Sequence, residues 1–219
     1  MTTLSLQRLA LTATVVATLA GTLSACAPLV VGGMATGVIV ATDRRTSGIQ
    51  LEDEGIELRA ASRLRDVLGD RGHVNVTSFN RQVLLTGEVP TEQDKGTVER
   101  AIGQVENVRL VLNELAVQDS TTFSQRSNDT LVTGRVKAAI VDARDLTVNA
   151  FKVVTERGTV YLMGRVTQRE AGRATEVVRS VQGVARVVRA LEIISEEELA
   201  RAQPKPPAAP QKDDRPVGN

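Results

Sequence analysis

Two tandem α+β units, each running α-β-β-α-β with a three-stranded sheet packed against two helices, are what this sequence of 219 residues predicts. Three observations carry the prediction. Val83-Leu84-Leu85-Thr86-Gly87-Glu88-Val89 and the strand before it, from Val74, match Val160-Tyr161-Leu162-Met163-Gly164-Arg165-Val166 and the strand from Phe151, at a constant offset of 77 positions. Further on, Val105-Glu106-Asn107-Val108 matches Val181-Gln182-Gly183-Val184, and Val111-Leu112 matches Val187-Val188, at an offset of 76. One residue has been lost between hairpin and helix. Within each copy, apolar residues recur first at helical spacing, then in alternation, then at helical spacing again.

Taken in order, the chain opens on an export signal. Arg8 supplies the positive charge, Leu9 to Leu23 an apolar run, and small residues follow, so residues 1–25 read as a removed leader. The run falls short of the ~20 residues of a membrane span. Leu23-Ser24-Ala25-Cys26 has the form of a bacterial lipobox, which would turn the chain's one cysteine into an acylated, palmitate-bearing N-terminus. An ordinary signal peptide or an uncleaved anchor is the alternative. Residues 26–52, rich in Ala, Gly, Val and Ile as far as Asp43, read as a tether.

The first unit spans 53–118. Ile56, Ala60, Leu64, Val67 and Leu68 form a helical stripe, and Val74, Val76 and Val83, Leu85 make two strands turning at Phe79-Asn80-Arg81. After Gly87 and Pro90, the acidic turn Thr91-Glu92-Gln93-Asp94 opens a helix carrying Val98, Ala101, Ile102 and Val105, and Val108 to Val117 is the third strand. Residues 119–126 read as a linker. The second unit, 127–195, repeats the order with a helix from Asn128 to Arg144, a hairpin turning at Arg157-Gly158, a helix carrying Ala171, Ala174, Val178 and Val181, and a strand from Val184 to Ile194. Residues 196–219, with five of the seven prolines from Pro204 onward, read as a disordered tail. Units of this size bury only ~60% of their unfolded surface, so docking of the two is expected.

Composition excludes several classes of function. Removing the leader takes away Arg8 and leaves the side chains with no net charge, and with no Trp, three Phe and one Tyr the chain offers no platform for stacking bases. Nucleic acid is not an expected partner. No intramolecular disulfide can form from one cysteine. Nothing calls for a cofactor, a metal or catalysis: His73 has no second histidine or cysteine beside it, no nucleophile elbow or phosphate loop is present, and Asp142 and Asp145 read as solvated or turn-forming. Gly87 and Gly164 hold equivalent strand ends, where a turn or close backbone approach accounts for them. The expectation is a binding protein.

The first helices of the two units differ. In the first, Glu57, Arg59, Ser62, Arg63, Arg65 and Asp66 surround one apolar stripe, and the helix asks for no partner. In the second, Val132, Val136, Ala139, Ile140 and Ala143 make the core stripe, while Leu131, Gly134, Arg135, Ala138 and Val141, with Lys137 beside them, make a second apolar face with basic margins. That face suits a lipid headgroup boundary, and equally a contact between the two units. A Cys26 anchor favours the lipid, because tethering raises the effective concentration of a weak headgroup site.

The repeated Val-x-Leu-x-Gly-x-Val type of hairpin, its following helix and the Val-x-x-Val strand entry resemble the BON domain. Ala41-Thr42-Asp43-Arg44-Arg45 before the first unit and Ser127-Asn128-Asp129-Thr130 in the second extend the likeness to dual-BON outer-membrane lipoproteins of the DolP family. The resemblance implies a lipid-anchored protein of the outer membrane facing the periplasm. Such a protein binds anionic phospholipid through the first helix of its second BON unit and supports envelope integrity, with no enzymatic activity. Carried over by position, the contact falls on the helix of Leu131, Gly134, Arg135, Lys137, Ala138 and Val141. Position 131 can hold an aromatic residue in such proteins; leucine there leaves the face without an aromatic anchor. The alternative is a periplasmic protein-interaction or chaperone-like module acting on envelope partners such as the outer-membrane assembly machinery.

Overall fold

The computed structural model describes residues 43–202. The leader, the lipobox with Cys26, the tether up to residue 42 and the proline-rich stretch 203–219 lie outside the described residues. In chain order the elements are α1 (Ser47–Val67), β1 (His73–Phe79), β2 (Gln82–Val89), α2 (Glu92–Gly103), β3 (Leu110–Asn113), β4 (Ala116–Val117), α3 (Phe123–Asp142), β5 (Phe151–Glu156), β6 (Thr159–Thr167), α4 (Gln168–Arg179), β7 (Arg186–Ile194) and α5 (Glu196–Ala202). Each copy is α-β-β-α-β, as the repeat predicts.

Three boundaries differ from the sequence expectation by more than two residues, each for a local reason. Helix α1 starts at Ser47, inside the expected tether, because the Thr46 side chain caps it by accepting from the Ile49 N–H. Helix α3 starts at Phe123, inside the expected linker, where Thr122 and Gln125 form a capping box. Residues 196–202 are helical rather than tail: Ser195 accepts from the Glu198 N–H and Leu199 is buried.

In the first sheet β2 is central, antiparallel to β1 and parallel to β3 and β4; in the second β6 is central, antiparallel to β5 and parallel to β7. The expected third strand of the first copy is thus interrupted. At the break the buried Leu115 donates its N–H to the Asn113 side chain, and pairing with β2 resumes at Ala116. Both hairpins turn in two residues, Asn80-Arg81 and Arg157-Gly158, all four with positive φ, the geometry that matches strand twist. Gly87 faces Val74 and Gly164 faces Phe151 across the ladder, so the two hairpins share one register.

Strand alternation sends neighbouring side chains into different cores. Val83, Leu85 and Val89 pack with Ile56, Ala60 and Leu64 of α1 and Val98 and Ile102 of α2. Val160, Leu162 and Val166 pack with Val132, Val136 and Ile140 of α3 and Ala171, Ala174 and Val178 of α4. The intervening residues form a third cluster: Phe79 and Leu84 from the first sheet meet Tyr161, Met163 and Ala190 from the second. Both copies belong to one compact unit, and the sheets meet through the faces turned away from their helices. Two of the chain's four aromatic residues, Phe79 and Tyr161, are spent on this seam.

Polar groups fasten the seam at its margins. Arg157 reaches Glu88 at 2.5 Å, Lys152 reaches Glu57 at 2.9 Å, Asn75 donates to Glu156 at 3.1 Å, and Asn80 donates to Glu192. Ahead of α1, two adjacent arginines grip opposite halves. Arg44 forms a bidentate pair with Glu170 of α4 at 2.7 and 2.8 Å and donates to the Arg165 carbonyl. Arg45 pairs with Asp43 and with Asp53 of α1, and lies 4.2 Å from the centre of the Phe79 ring. Burial alone would raise the Glu170 carboxyl; the hydrogen bonds from Arg44 and the Thr167 N–H, with the Arg44 charge, outweigh it and hold the group below its ordinary value.

Candidate functional site

Helix α3 is built to be held on one side only. Val132, Val136 and Ile140 enter the core, and the Thr133 hydroxyl donates to Thr155 of β5 at 2.7 Å. At ~100° per residue, Leu131, Gly134, Ala138 and Val141 share a sector about half a turn away from that stripe. All four are exposed, Leu131 at 60% and Val141 at 58%, and a Cβ added at Gly134 would meet nothing within 4 Å. Arg135 and Lys137, both exposed, border the sector on opposite sides; the Arg135 guanidinium reaches the Gln182 carbonyl at 3.5 Å. Asp142 closes its C-terminal end. Of the two uses the sequence left open for this face, contact between the units is excluded, because the sheets make that contact.

Phe123 extends the same side of the helix by two turns and is 80% exposed. From sequence alone Phe123 falls in the linker 119–126, and Leu131 leaves the face without an aromatic residue. The signal that would have found it is Thr122-Phe123-Ser124-Gln125, a capping-box spacing that starts the helix one residue before the ring. Helix α1 also departs from expectation. Leu51 and Leu58 stand 69% and 74% exposed opposite its buried stripe, with Glu54 between them, so its outward side is interrupted rather than continuous.

A second set of residues escaped the sequence reading. In α3, the buried Asp129 accepts the N–H groups of Arg157 at 2.8 Å and Gly158 at 2.9 Å; in α1, Asp53 accepts those of Asn80 and Arg81, both at 2.8 Å. Each first helix therefore holds its own hairpin turn by one carboxylate. Burial opposes ionisation of Asp53, but the Arg81 N–H, the Ser78 hydroxyl, Arg45 and the Asn80 N–H together lower its pKa. Nothing in the sequence flags these aspartates except their recurrence, 76 positions apart. Glu88 and Glu156 lie buried in the same region as Asp129.

Among the described residues the sequence-predicted polar candidates stand apart from one another. His73 opens β1, with its Nε2 3.4 Å from the Asn75 amide nitrogen, and among the described residues no group of three or more His, Cys, Asp or Glu side chains could hold a metal ion. Asp145 pairs with Arg173 at 3.1 Å on the exposed surface. Among the described residues no helix is long and apolar enough to cross a membrane.

The family model for the BON domain matches residues 53–119 and again residues 128–195. The chain is 38% identical over 170 residues, 76% of its own length and 88% of the relative's, to "Outer membrane lipoprotein DolP" of Haemophilus influenzae. It is 30% identical over 154 residues to "21 kDa hemolysin" of Actinobacillus pleuropneumoniae, covering 69% of this chain and 79% of that one. Among solved structures, the C-terminal domain of CdsD, a structural protein of the type III secretion system of Chlamydia trachomatis, is 10% identical with a TM-score of 0.27, covering 63% of this chain and 96% of that one. Agreement at that level carries no argument.

Proposed function

The chain belongs to the dual-BON family of the outer-membrane lipoprotein DolP, and on that premise we propose that it is a lipid-anchored envelope protein that binds anionic phospholipid through the outward face of α3. The family membership supports an outer-membrane-associated protein of the cell envelope. The finer reading adds acylation at Cys26, a periplasmic orientation and a named lipid contact, with no chemistry performed on the lipid.

One observation carries it: an apolar sector of a long helix, Leu131, Ala138 and Val141, with Phe123 two turns before it beyond the exposed Ser127, is left uncovered in a body whose two halves are already joined elsewhere. Such a side enters the boundary between headgroup and acyl chain, while Arg135 and Lys137 at its margins meet phosphate at ~1 kcal/mol each. Phe123 supplies the ring that position 131 lacks.

Residues 42–219 contain every apolar cluster and ion pair described above and provide the test. On titration with phosphatidylglycerol-containing vesicles, the amides of Leu131, Arg135, Ala138 and Val141 should shift most, with an affinity that falls as salt is raised. Leu131→Glu should weaken binding by about tenfold or more, since burying a leucine side chain is worth ~1.5–3 kcal/mol. Shifts confined to the first domain would overturn the site, and a lipid-independent protein adduct from a crosslinker at position 135 would favour an interaction module instead. The mass of the mature N-terminus reads acylation of Cys26 directly.

A further inference from the structure

We propose that Glu88, a residue of the first BON domain, is a positioning residue for the α3 face of the second; the inference rests on the membrane reading of that face. Glu88 lies on β2, is fully buried, and its carboxylate reaches α3 by two routes. One oxygen accepts the Thr121 N–H at 3.2 Å and its hydroxyl at 3.4 Å, and Thr121 directly precedes Thr122, the N-cap of α3. The other oxygen accepts from the Arg157 guanidinium at 2.5 Å, which also donates to the Gly87 carbonyl at 3.0 Å. The Arg157 backbone N–H is in turn held by Asp129, two turns into α3.

A single buried charge of the first domain thus fixes the entry of the helix and, through the hairpin turn, a point further along it. Arg157 itself has φ 51°, a left-handed conformation that a side chain larger than glycine adopts only where the surroundings hold it. The arrangement is not part of the repeat. The residue equivalent to Glu88 in the second copy is Arg165, which pairs with Glu192 and Glu198 of its own half, and the residue equivalent to Arg157 in the first is Asn80, which donates to Glu192, so the equivalent positions meet only through that third side chain and form no direct ion pair. Repetition therefore supplies the two turns, and the Glu88–Arg157 pair runs directly from the first domain to the turn that Asp129 ties to the helix proposed to meet lipid.

Glu88→Gln keeps the side-chain shape and an acceptor for Thr121 but removes the charge that holds Arg157. In residues 42–219 it should move the lipid-free amide resonances of Leu131, Gly134 and Ala138 and weaken binding to phosphatidylglycerol vesicles roughly three- to tenfold. Arg157→Gln, which leaves Glu88 buried without its cation, should lose more, and the double variant E88Q/R157Q should recover the greater part of that loss. A lower melting temperature in E88Q with α3 resonances and vesicle affinity unchanged would mean a structural bond only and would overturn the proposal. Loss of binding in Leu131→Glu alongside parental binding in E88Q likewise overturns the positioning role and leaves the membrane reading standing. Parental binding in Leu131→Glu overturns that reading and this inference with it.

Discussion

At Glu156, burial pushes the carboxyl above its ordinary pKa, the Asn75 amide opposes the push, and the negative charges of Glu88 and Asp129 add to it against the single guanidinium of Arg157. A carboxyl whose pKa is higher folded than unfolded binds more protons in the folded state, so stability falls as pH rises through the interval between the two values. Glu156→Gln removes that dependence while keeping an acceptor for Asn75. Its melting temperature should equal the parent's below the ordinary glutamate value of about 4.3 and exceed it near neutrality; curves that run parallel from acid to neutral pH would contradict the assignment. Asp53 and Glu170 act with the opposite sign. Their lowered carboxyls contribute stability that is present above ordinary carboxylate values and is lost as pH falls through the folded value. Falling pH should therefore relieve Glu156 first, above ordinary carboxylate values, and loosen the grip of Arg44 and Arg45 on the two halves only below them.

The hairpins show best how far an element can be read before it is seen. Their strands, turns and shared register were legible, because a period of two and a constant offset of 77 leave little freedom. Gly87 and Gly164 were legible as well. A Cβ would stand 2.0 Å from the His73 carbonyl oxygen at the first and 2.3 Å from that of Ala150 at the second, so close backbone approach explains both. Gly164→Ala should cost about 2–3 kcal/mol in urea unfolding, whereas Gly134→Ala, into open space on a helix, should stabilise by about 0.5–1 kcal/mol. Gly164 lies in the repeated strand against a neighbouring carbonyl and Gly134 on an open helix face, so the same substitution acts with opposite sign. Helix starts were less legible, since α1 and α3 begin on threonine caps outside their apolar stripes, and that shift hid Phe123. Of the site, the outward residues of α3 followed from periodicity, but the carboxylates behind it did not: Asp129 and Glu88 act through partners 28 and 69 positions away.

For the molecule as a whole, the decisive arrangement is that one strand serves two cores. Leu162 and Met163 are neighbours on β6, both fully buried, yet Leu162 faces α3 and α4 while Met163 faces the other sheet. Leu162→Asp should unfold the second domain and reduce far-ultraviolet circular dichroism. Met163→Asp should leave both helical cores formed and release the seam, seen in X-ray scattering as a larger radius of gyration with secondary structure retained. Identical losses of helix in both variants would show that neither half survives without the other. The adjacent arginines ahead of α1 bear on the same seam in a mechanical sense. A pull applied to the chain upstream of Asp43 is divided on entry, Arg44 loading the end of α4 and Arg45 the base of α1, so tension from that direction is shared between the halves instead of peeling the first helix from its sheet.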